Sequence, residues 1–178
     1  RAGRLPPGTL APAAVLVALL DRGAGPAVLF TRRHDGLVQH AGQVAFPGGG
    51  TESTDRSPEE TALREASEEV GLPPECVRVL GRLPRYPTTS AYLVTPVVGY
   101  VKDFSRFVMQ RQEVADIFSV PFEVLLDRFR WQEQPVGFGG ERFRFPELIW
   151  EDRRIWGATA GMLRLLLPAL RDAWRQAT

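Results

Sequence analysis

Apolar residues in this chain fall into short runs separated by polar segments or by segments that contain Gly and Pro. The first run, Ala13–Leu20, is continuous but much shorter than the roughly 20 residues that a membrane-spanning helix needs. It predicts a buried strand, and Ala27–Arg32 predicts a second strand after a turn at Asp21–Pro26. Further strands are predicted at Val44–Phe46, Val77–Leu83, Ala91–Val101 and Ile117–Val120.

Proline and glycine refine the strand pattern. Pro96 interrupts one predicted strand and has no backbone N–H, so it is expected at a sheet edge or a bulge. Gly139-Gly140 separates the runs Phe129–Phe138 and Glu141–Trp150, an arrangement that predicts a β-hairpin.

Two helices are predicted in the second half of the chain. Pro121–Leu126 is short, whereas Ala158–Gln176 has amphipathic spacing and an expected interruption or kink at Pro168. There is no repeat and no interior linker. We predict a lead-in at residues 1–12, followed by one α/β domain with a mixed sheet at residues 13–178.

The helix with the clearest capping residues at both ends follows a run of three glycines. Ser57 is a favourable N-cap, Pro58 suits the first helical position, and Glu60 completes a capping box. Gly71 fits the position just beyond the helix, and two prolines then prevent its continuation. The sequence therefore predicts a helix whose two ends are both defined.

This helix is expected to have an apolar face and an acidic face. Spacing of three and four residues brings its acidic side chains together, where they repel one another, and Arg64 relieves part of that repulsion. A solvated surface is one interpretation. The other is a site for a divalent cation beside a phosphate-accepting glycine turn. The apolar set is Leu63, Ala66 and Val70, and the acidic set is Glu65, Glu68 and Glu69.

Composition limits the classes of partner. The 178 residues suit one domain, and 22 basic against 21 acidic residues give a formal charge of +1, without a nucleic-acid signature. The single cysteine, Cys76, excludes an intrachain disulfide and fits a reducing compartment, so we expect a cytoplasmic protein without membrane attachment. The expected partner is a small-molecule substrate, and the oligomeric state stays open.

The glycine-and-helix segment resembles the signature of Nudix hydrolases, Gx5Ex7REUxEExGU, in which U is aliphatic. Arg64–Leu72 reads REASEEVGL and matches the second half without a gap. The first half departs, because Arg56 stands where the pattern has Glu, whereas Gly49 and Asp55 keep the glycine-to-acid spacing. The resemblance implies an α/β fold of the Nudix type, an α/β/α sandwich with a mixed sheet.

The resemblance also implies roles for individual residues. Glu65 and Glu69 would bind Mg²⁺ or Mn²⁺, with Glu68 as a further ligand or a base. Arg64 would hold these carboxylates in register. Glu113 is a candidate for a later metal ligand or general base, because Nudix enzymes often use an acid outside the signature.

A second block resembles the coenzyme A diphosphatase branch of these enzymes. The segment His40–Gly49 reads HAGQVAFPGG and follows a basic stretch, and Thr89–Pro96 and Ile155–Ala160 also resemble that branch. Among the departures, Ala91 stands where Gly is common. The branch implies hydrolysis of coenzyme A to 3′,5′-ADP and 4′-phosphopantetheine. Candidate substrate-binding residues are Arg32, Arg33, His40, Gly48 and Gly49.

Four functions compete at this level. The first is a coenzyme A diphosphatase, and the second is a Nudix hydrolase of ADP-ribose, NADH or a nucleoside triphosphate. The third is a non-catalytic Nudix-fold binding module, although such modules commonly lose signature glutamates that are complete here. The fourth, a structural protein with an acidic helix, would make the ordered motif a coincidence.

Overall fold

The centre of the fold is a mixed β-sheet, seen in a computed structural model that describes residues 8–21, 23, 25–33, 42–101, 114–138 and 141–177. The long strands β1 and β7 run parallel from Ala11 opposite Tyr92 to Leu20 opposite Val101, and the other described neighbours pair antiparallel. The strands are β1 (Ala11–Asp21), β2 (Pro26–Arg33), β3 (Val44–Ala45), β4 (Gly48–Gly50), β5 (Val77–Arg82), β6 (Tyr86–Pro87), β7 (Tyr92–Val101) and β8 (Val114–Pro121).

Helices cover both faces of this sheet. Side chains alternate along a strand, so β1 sends Leu16 and Ala18 toward α1 (Pro58–Val70) and sends Val17 to the opposite face. That opposite face packs against α2 (Phe122–Leu126) and α3 (Gly157–Ala177). The predicted α/β/α sandwich with a mixed sheet is therefore confirmed.

A second sheet lies beside α3 and was not predicted as a separate layer. It consists of β9 (Trp131–Phe138), β10 (Glu141–Trp150) and β11 (Arg153–Trp156), with β10 in the middle. The predicted hairpin is confirmed by the antiparallel pairing of β9 with β10. Leu148 and Ile155 lie opposite each other and are fully buried in the core that α3 shares, which attaches this sheet to the rest of the fold.

Phe129 lies outside the strand that was predicted to begin with it. The Asp127 carboxylate accepts a hydrogen bond from Phe129 N at 3.0 Å and caps a 3₁₀ turn at Arg128–Arg130. Phe129 is 82% exposed as a result.

Pro96 lies on an interior strand, so the first of its two predicted alternatives, a sheet edge, is wrong. The second, a bulge, is found in the same ladder but on the neighbouring strand, between Val79 and Gly81 of β5. β7 runs between β1 on one side and β5 and β6 on the other. The carbonyl of Pro96 accepts a hydrogen bond from Leu83 N at 2.9 Å, and the N and O atoms of one strand residue point to the same side. The missing N–H therefore faces Leu83 at the junction between the β5 and β6 ladders, where only the bond from Leu83 N to Pro96 O is formed.

The closing helix α3 runs without interruption through Pro168, which lies on its exposed side. The chain enters α3 at Gly157 in the left-handed conformation, with φ of 59°. The buried Thr159 hydroxyl donates to the carbonyl of Val44 at 3.1 Å and connects the start of the helix to β3. No helix in the described parts of the chain combines the length and apolar character that crossing a membrane requires.

Ala91 has a left-handed backbone, with φ of 63°, at the position where the resemblance favours glycine. The left-handed conformation costs an L-residue about 1 kcal/mol or more, and the extra freedom of glycine in the unfolded chain offsets part of the relief. We therefore expect Ala91→Gly to raise the free energy of unfolding by about 0.5 kcal/mol, measured by urea denaturation.

Ala169→Gly is the matched control, because Ala169 is exposed in the regular helix α3. The same change should there lower the free energy of unfolding by about 1 kcal/mol. A similar loss at both positions would contradict the assignment of strain to Ala91.

Candidate active site

Helix α1 begins and ends where the sequence predicts. Ser57 has extended backbone and its hydroxyl accepts from Glu60 N at 3.2 Å, while Gly71 closes the helix with φ of 63°. The Glu60 side chain differs from the predicted capping box. Its carboxylate accepts from Arg56 N at 2.8 Å, one residue before the N-cap, and also pairs with the Arg56 guanidinium.

The three glutamates of α1 lie on one side of the helix, as predicted, but they differ strongly in burial. Each residue turns the helix by about 100°, which puts Glu69 about 60° from the buried Ala66, Glu65 about 100° away and Glu68 about 160° away. Their exposure follows this order. Glu69 is buried at 8% exposure, and the side chains of Glu65 and Glu68 are 17% and 59% exposed. Glu69 therefore lies at the rim of the packed face.

Two glycines of β4 bring their backbone against these carboxylates. Gly48 N donates to Glu69 Oε2 at 3.1 Å. A Cβ on Gly49 would come within 2.7 Å of the Glu65 carboxyl carbon, and one on Gly48 would come within 2.5 Å of the carbonyl oxygen of Ala14. The glycine turn is therefore needed sterically, because any side chain would push β4 away from β1 and α1.

Arg64 is the centre of the polar contacts at this site. Its guanidinium makes a two-pronged contact with Asp55, with distances of 3.1 Å from Nε to Oδ1 and 3.0 Å from Nη2 to Oδ2. The same group donates to the carboxylates of Glu65 and Glu68 at 2.9 and 3.3 Å, and to the carbonyl of Gly50 at 3.0 Å. These bonds, chiefly the one to Asp55, raise the pKa of Arg64 above its ordinary value.

Asp55 is the acidic partner that the irregular first half of the signature left undefined. Its side chain is only 5% exposed and also accepts from Glu52 N at 2.9 Å and from the Thr61 hydroxyl at 3.0 Å. Hydrogen bonds from Arg64 first, then from Glu52 N, lower the pKa of Asp55 from 3.8 to about 2. The spacing from Gly49 to Asp55 was the sequence signal, but it gave no indication that Arg64 is the partner.

The donor set around α1 suits a hard divalent cation. Glu65, Glu68 and Glu69 offer carboxylate oxygens, which Mg²⁺ and Mn²⁺ prefer. Within the described ranges, no three Asp, Glu, His or Cys side chains are grouped closely enough to enclose an ion by themselves. Mg²⁺ does not need such an enclosure, because it keeps several waters and takes one or two carboxylates together with substrate phosphates. The residues therefore fit an ion that takes some of its ligands from these glutamates and the remaining ligands from water and from the substrate.

The two candidate arginines of β2 are not brought together. Leu29 and Phe30 belong to the cores on opposite faces of the sheet, so alternation places Arg32 on the α3 face. The register shifts between Arg32 and Arg33, but the extra residue belongs to β8, so β2 itself continues to alternate and places Arg33 on the α1 face. Arg32 forms a long ion pair of 3.9 Å with Asp152. The buried Nε of Arg33 has no hydrogen-bond partner among the described residues. Only Arg33 is therefore on the side of the acidic helix.

His40 and Glu113 lie outside the described residues, and their predicted roles stay predictions. Of the other site residues, Arg64, Glu65, Glu68, Glu69, Gly48 and Gly49 form one connected cluster.

Comparison with known proteins gives consistent similarities. A family model described as the NUDIX domain matches residues 10–136. A Pectobacterium atrosepticum protein named "Uncharacterized Nudix hydrolase NudL" is 42% identical over 160 residues, covering 90% of this chain and 83% of the relative. Its namesake from Yersinia enterocolitica is 45% identical over 156 residues, covering 86% and 78%. The crystal structure of a Nudix hydrolase from M. smegmatis, RenU, superposes with a TM-score of 0.59 at 20% identity, covering 94% and 88%.

Proposed function

The chain belongs to the Nudix hydrolase family, and we propose that it hydrolyses the diphosphate linkage of coenzyme A to 3′,5′-ADP and 4′-phosphopantetheine. Hydrolases of this family generally use divalent metal ions. We further propose Mg²⁺ or Mn²⁺ as the ion here. The free Cys76 supports a reducing, cytoplasmic setting for this reaction.

One observation supports the hydrolytic chemistry most strongly. Glu69 and Glu65 lie against the backbone of Gly48 and Gly49, and Arg64 donates a hydrogen bond to the Glu65 carboxylate. Two carboxylates next to a half-buried glycine turn, whose last residue Gly50 is exposed, provide a place where a bound metal ion could meet a diphosphate close to the backbone. A surface helix with no catalytic role would need neither the close glycine packing nor the buried glutamate.

The proposed roles follow from exposure and contacts. Glu65 and Glu69 would hold the metal ion, which when bound neutralises phosphate charge and helps to activate a water molecule. Glu68 is more exposed and is either a further ligand or the group that accepts a proton from that water. Arg64 keeps both Glu65 and Glu68 oriented through its contacts at 2.9 and 3.3 Å. Glu113 stays the alternative candidate for the base.

The choice of coenzyme A is supported by the segment that precedes the helix. In the described part of that segment, Val44 joins β3 to the start of α3 through the hydroxyl of Thr159. The same segment then delivers Gly48 and Gly49 to the glutamates. Two segments that resemble the coenzyme A diphosphatase branch, His40–Gly49 and Ile155–Ala160, are thus joined through the described residues Val44 and Thr159. Such a connection is expected if both segments shape a common substrate site.

The test is hydrolysis of coenzyme A with Mg²⁺ or Mn²⁺, with ADP-ribose, NADH and dephospho-coenzyme A assayed in parallel and the products resolved. Release of 3′,5′-ADP at a rate well above the other substrates is the expected result. If only the other substrates were hydrolysed, the assignment as a Nudix hydrolase would stand, but the proposal that coenzyme A is the substrate would be rejected.

The second candidate is hydrolysis of another nucleoside diphosphate derivative, such as ADP-ribose or NADH, or of a nucleoside triphosphate. The separation of Arg32 from Arg33 favours it, because the basic stretch offers one arginine to the α1 face instead of two. A single guanidinium suits a diphosphate without the additional 3′-phosphate of coenzyme A.

The two arginines of β2 also provide a matched pair of variants. We expect Arg33→Ala to raise KM for coenzyme A by about tenfold, the effect of losing one charge-assisted contact, and to change KM for dephospho-coenzyme A much less. Arg32→Ala should leave the ratio of the two KM values unchanged, because Arg32 lies on the sheet face opposite α1 and pairs with Asp152. Equal effects of Arg33→Ala on both substrates would remove Arg33 from recognition of the 3′-phosphate.

A further inference from the structure

A cavity of about 360 Å³ lies between α3 and the beginning of β9, away from the site on α1. Leu167, which lines it, belongs to the core on the α3 side of the main sheet, whereas α1 packs on the other side. Its volume is in the usual range for pockets that hold a small organic ligand. The reaction proposed for the acidic helix makes no use of this cavity.

Three arginines line the cavity, and among the residues that the structure describes only one of the three has an acidic partner. Arg164 and Arg171 are two turns apart on α3, and Arg128 comes from the 3₁₀ turn before β9. Arg164 pairs with Glu133. Within the described parts of the chain, Arg128 and Arg171 form no ion pair. Guanidinium groups stay charged at any ordinary pH, so three positive and one negative group leave an excess of two positive charges.

The rest of the lining is apolar. The indole Nε1 of Trp131 donates to the carbonyl of Leu125 at 2.9 Å, so the ring offers the cavity its carbon surface instead of a free donor. Leu167 and Pro168 complete this side of the cavity. A ligand that fills the cavity would therefore combine a compact anionic group with a small carbon skeleton.

We propose that this cavity binds a small organic phosphate monoester, with the phosphate held by Arg128 and Arg171 and the carbon skeleton against Trp131. A phosphate monoester carries about −1.5 to −2 charges at pH 7, which matches the excess of two positive charges. Guanidinium groups also bind phosphate oxygens through paired N–H donors. A single carboxylate would neutralise only half of that charge.

The test is isothermal titration of the full chain with phenyl phosphate in EDTA, which removes metal-dependent binding at α1. Phenol is the uncharged control ligand. We expect saturable binding of one phenyl phosphate per chain and no binding of phenol. Arg128→Gln and Arg171→Gln should each weaken binding by about tenfold, the effect of one charge-assisted contact. Arg175→Gln is the matched control on α3, outside the cavity, and should change binding less than twofold.

Three results would overturn the proposal. Absence of saturable binding would reject the site, and unchanged binding in both cavity variants would place the phosphate elsewhere. Equal weakening by Arg175→Gln would show a diffuse effect of surface charge. An exposed aromatic ring beside an arginine, as at Phe129 and Arg128, could also contact an anionic membrane. Binding to phosphatidylserine vesicles is therefore measured as well. Binding to vesicles without binding of phenyl phosphate would replace the small ligand with a lipid surface.

Discussion

Glu69→Gln is expected to lower turnover by about a hundredfold or more, comparable to the loss of one preorganised electrostatic contact in an active site, while the fold stays intact. The substitution keeps the size of the side chain and an oxygen that can accept the hydrogen bond from Gly48 N. It removes the negative charge from a residue that is only 8% exposed. If Glu69 holds the metal ion as proposed, the loss falls on ion binding and leaves packing unchanged.

The measurement combines steady-state kinetics over a range of Mg²⁺ concentrations with thermal melting. We expect the activity of Glu69→Gln to recover in part at high Mg²⁺, with a melting temperature within a few degrees of the parent. Glu75→Gln is the control, because Glu75 is an exposed glutamate just beyond the helix. Near-normal activity of Glu69→Gln with normal melting would contradict the metal assignment.

Asp55→Asn is expected to lower the free energy of unfolding by about 2 kcal/mol, the usual scale for hydrogen bonds to a charged group. The Asp55 carboxylate is 5% exposed and holds Arg64 by two hydrogen bonds. An amide provides one acceptor in place of two and leaves the guanidinium partly unpaired. Because Arg64 orients Glu65, we also expect turnover to fall between about tenfold and a hundredfold, as for residues that position catalytic ligands.

The stability effect of Asp55 depends on pH with a defined sign. Its pKa in the folded protein is about 2, below the ordinary value of 3.8. A lowered carboxyl pKa stabilises the folded state above the unfolded pKa, and this stabilisation is lost as the pH falls through the folded pKa. The difference between the parent and Asp55→Asn, measured by urea denaturation, should therefore be constant above about pH 5 and shrink toward pH 2.

Arg56→Ala tests the other way of aligning the signature, in which Arg56 instead of Asp55 occupies its first acidic position. Arg56 occupies the position where the signature has Glu, but its guanidinium pairs with Glu60 at the surface. Exposed pairs of this kind contribute at most about 1 kcal/mol. A loss at Arg56 as large as that at Asp55 would contradict the assignment of Asp55 as the structural acid of the motif.

Local features of the sequence determined much of the fold and of the acidic helix. Ser57 begins α1 and Gly71 ends it, both through contacts with residues at most five positions away. Their effect can therefore be predicted from the local sequence alone. Strand runs such as Ala13–Leu20 are apolar at every position because both faces of the central sheet are covered. The signature glutamates were identified in the same way, from a fixed order of neighbouring residues.

Tertiary structure alone decided which of these residues act together. Glu69 is buried because its position on the helix meets Gly48, which is 21 residues away in the chain, and Arg64 selects Asp55 as its partner across a loop. The same holds for Pro96, whose interior position depends on where the neighbouring ladders stop. Sequence patterns report the spacing of side chains along one element. Burial and charge pairing depend on the distance between elements, which packing of the whole chain sets.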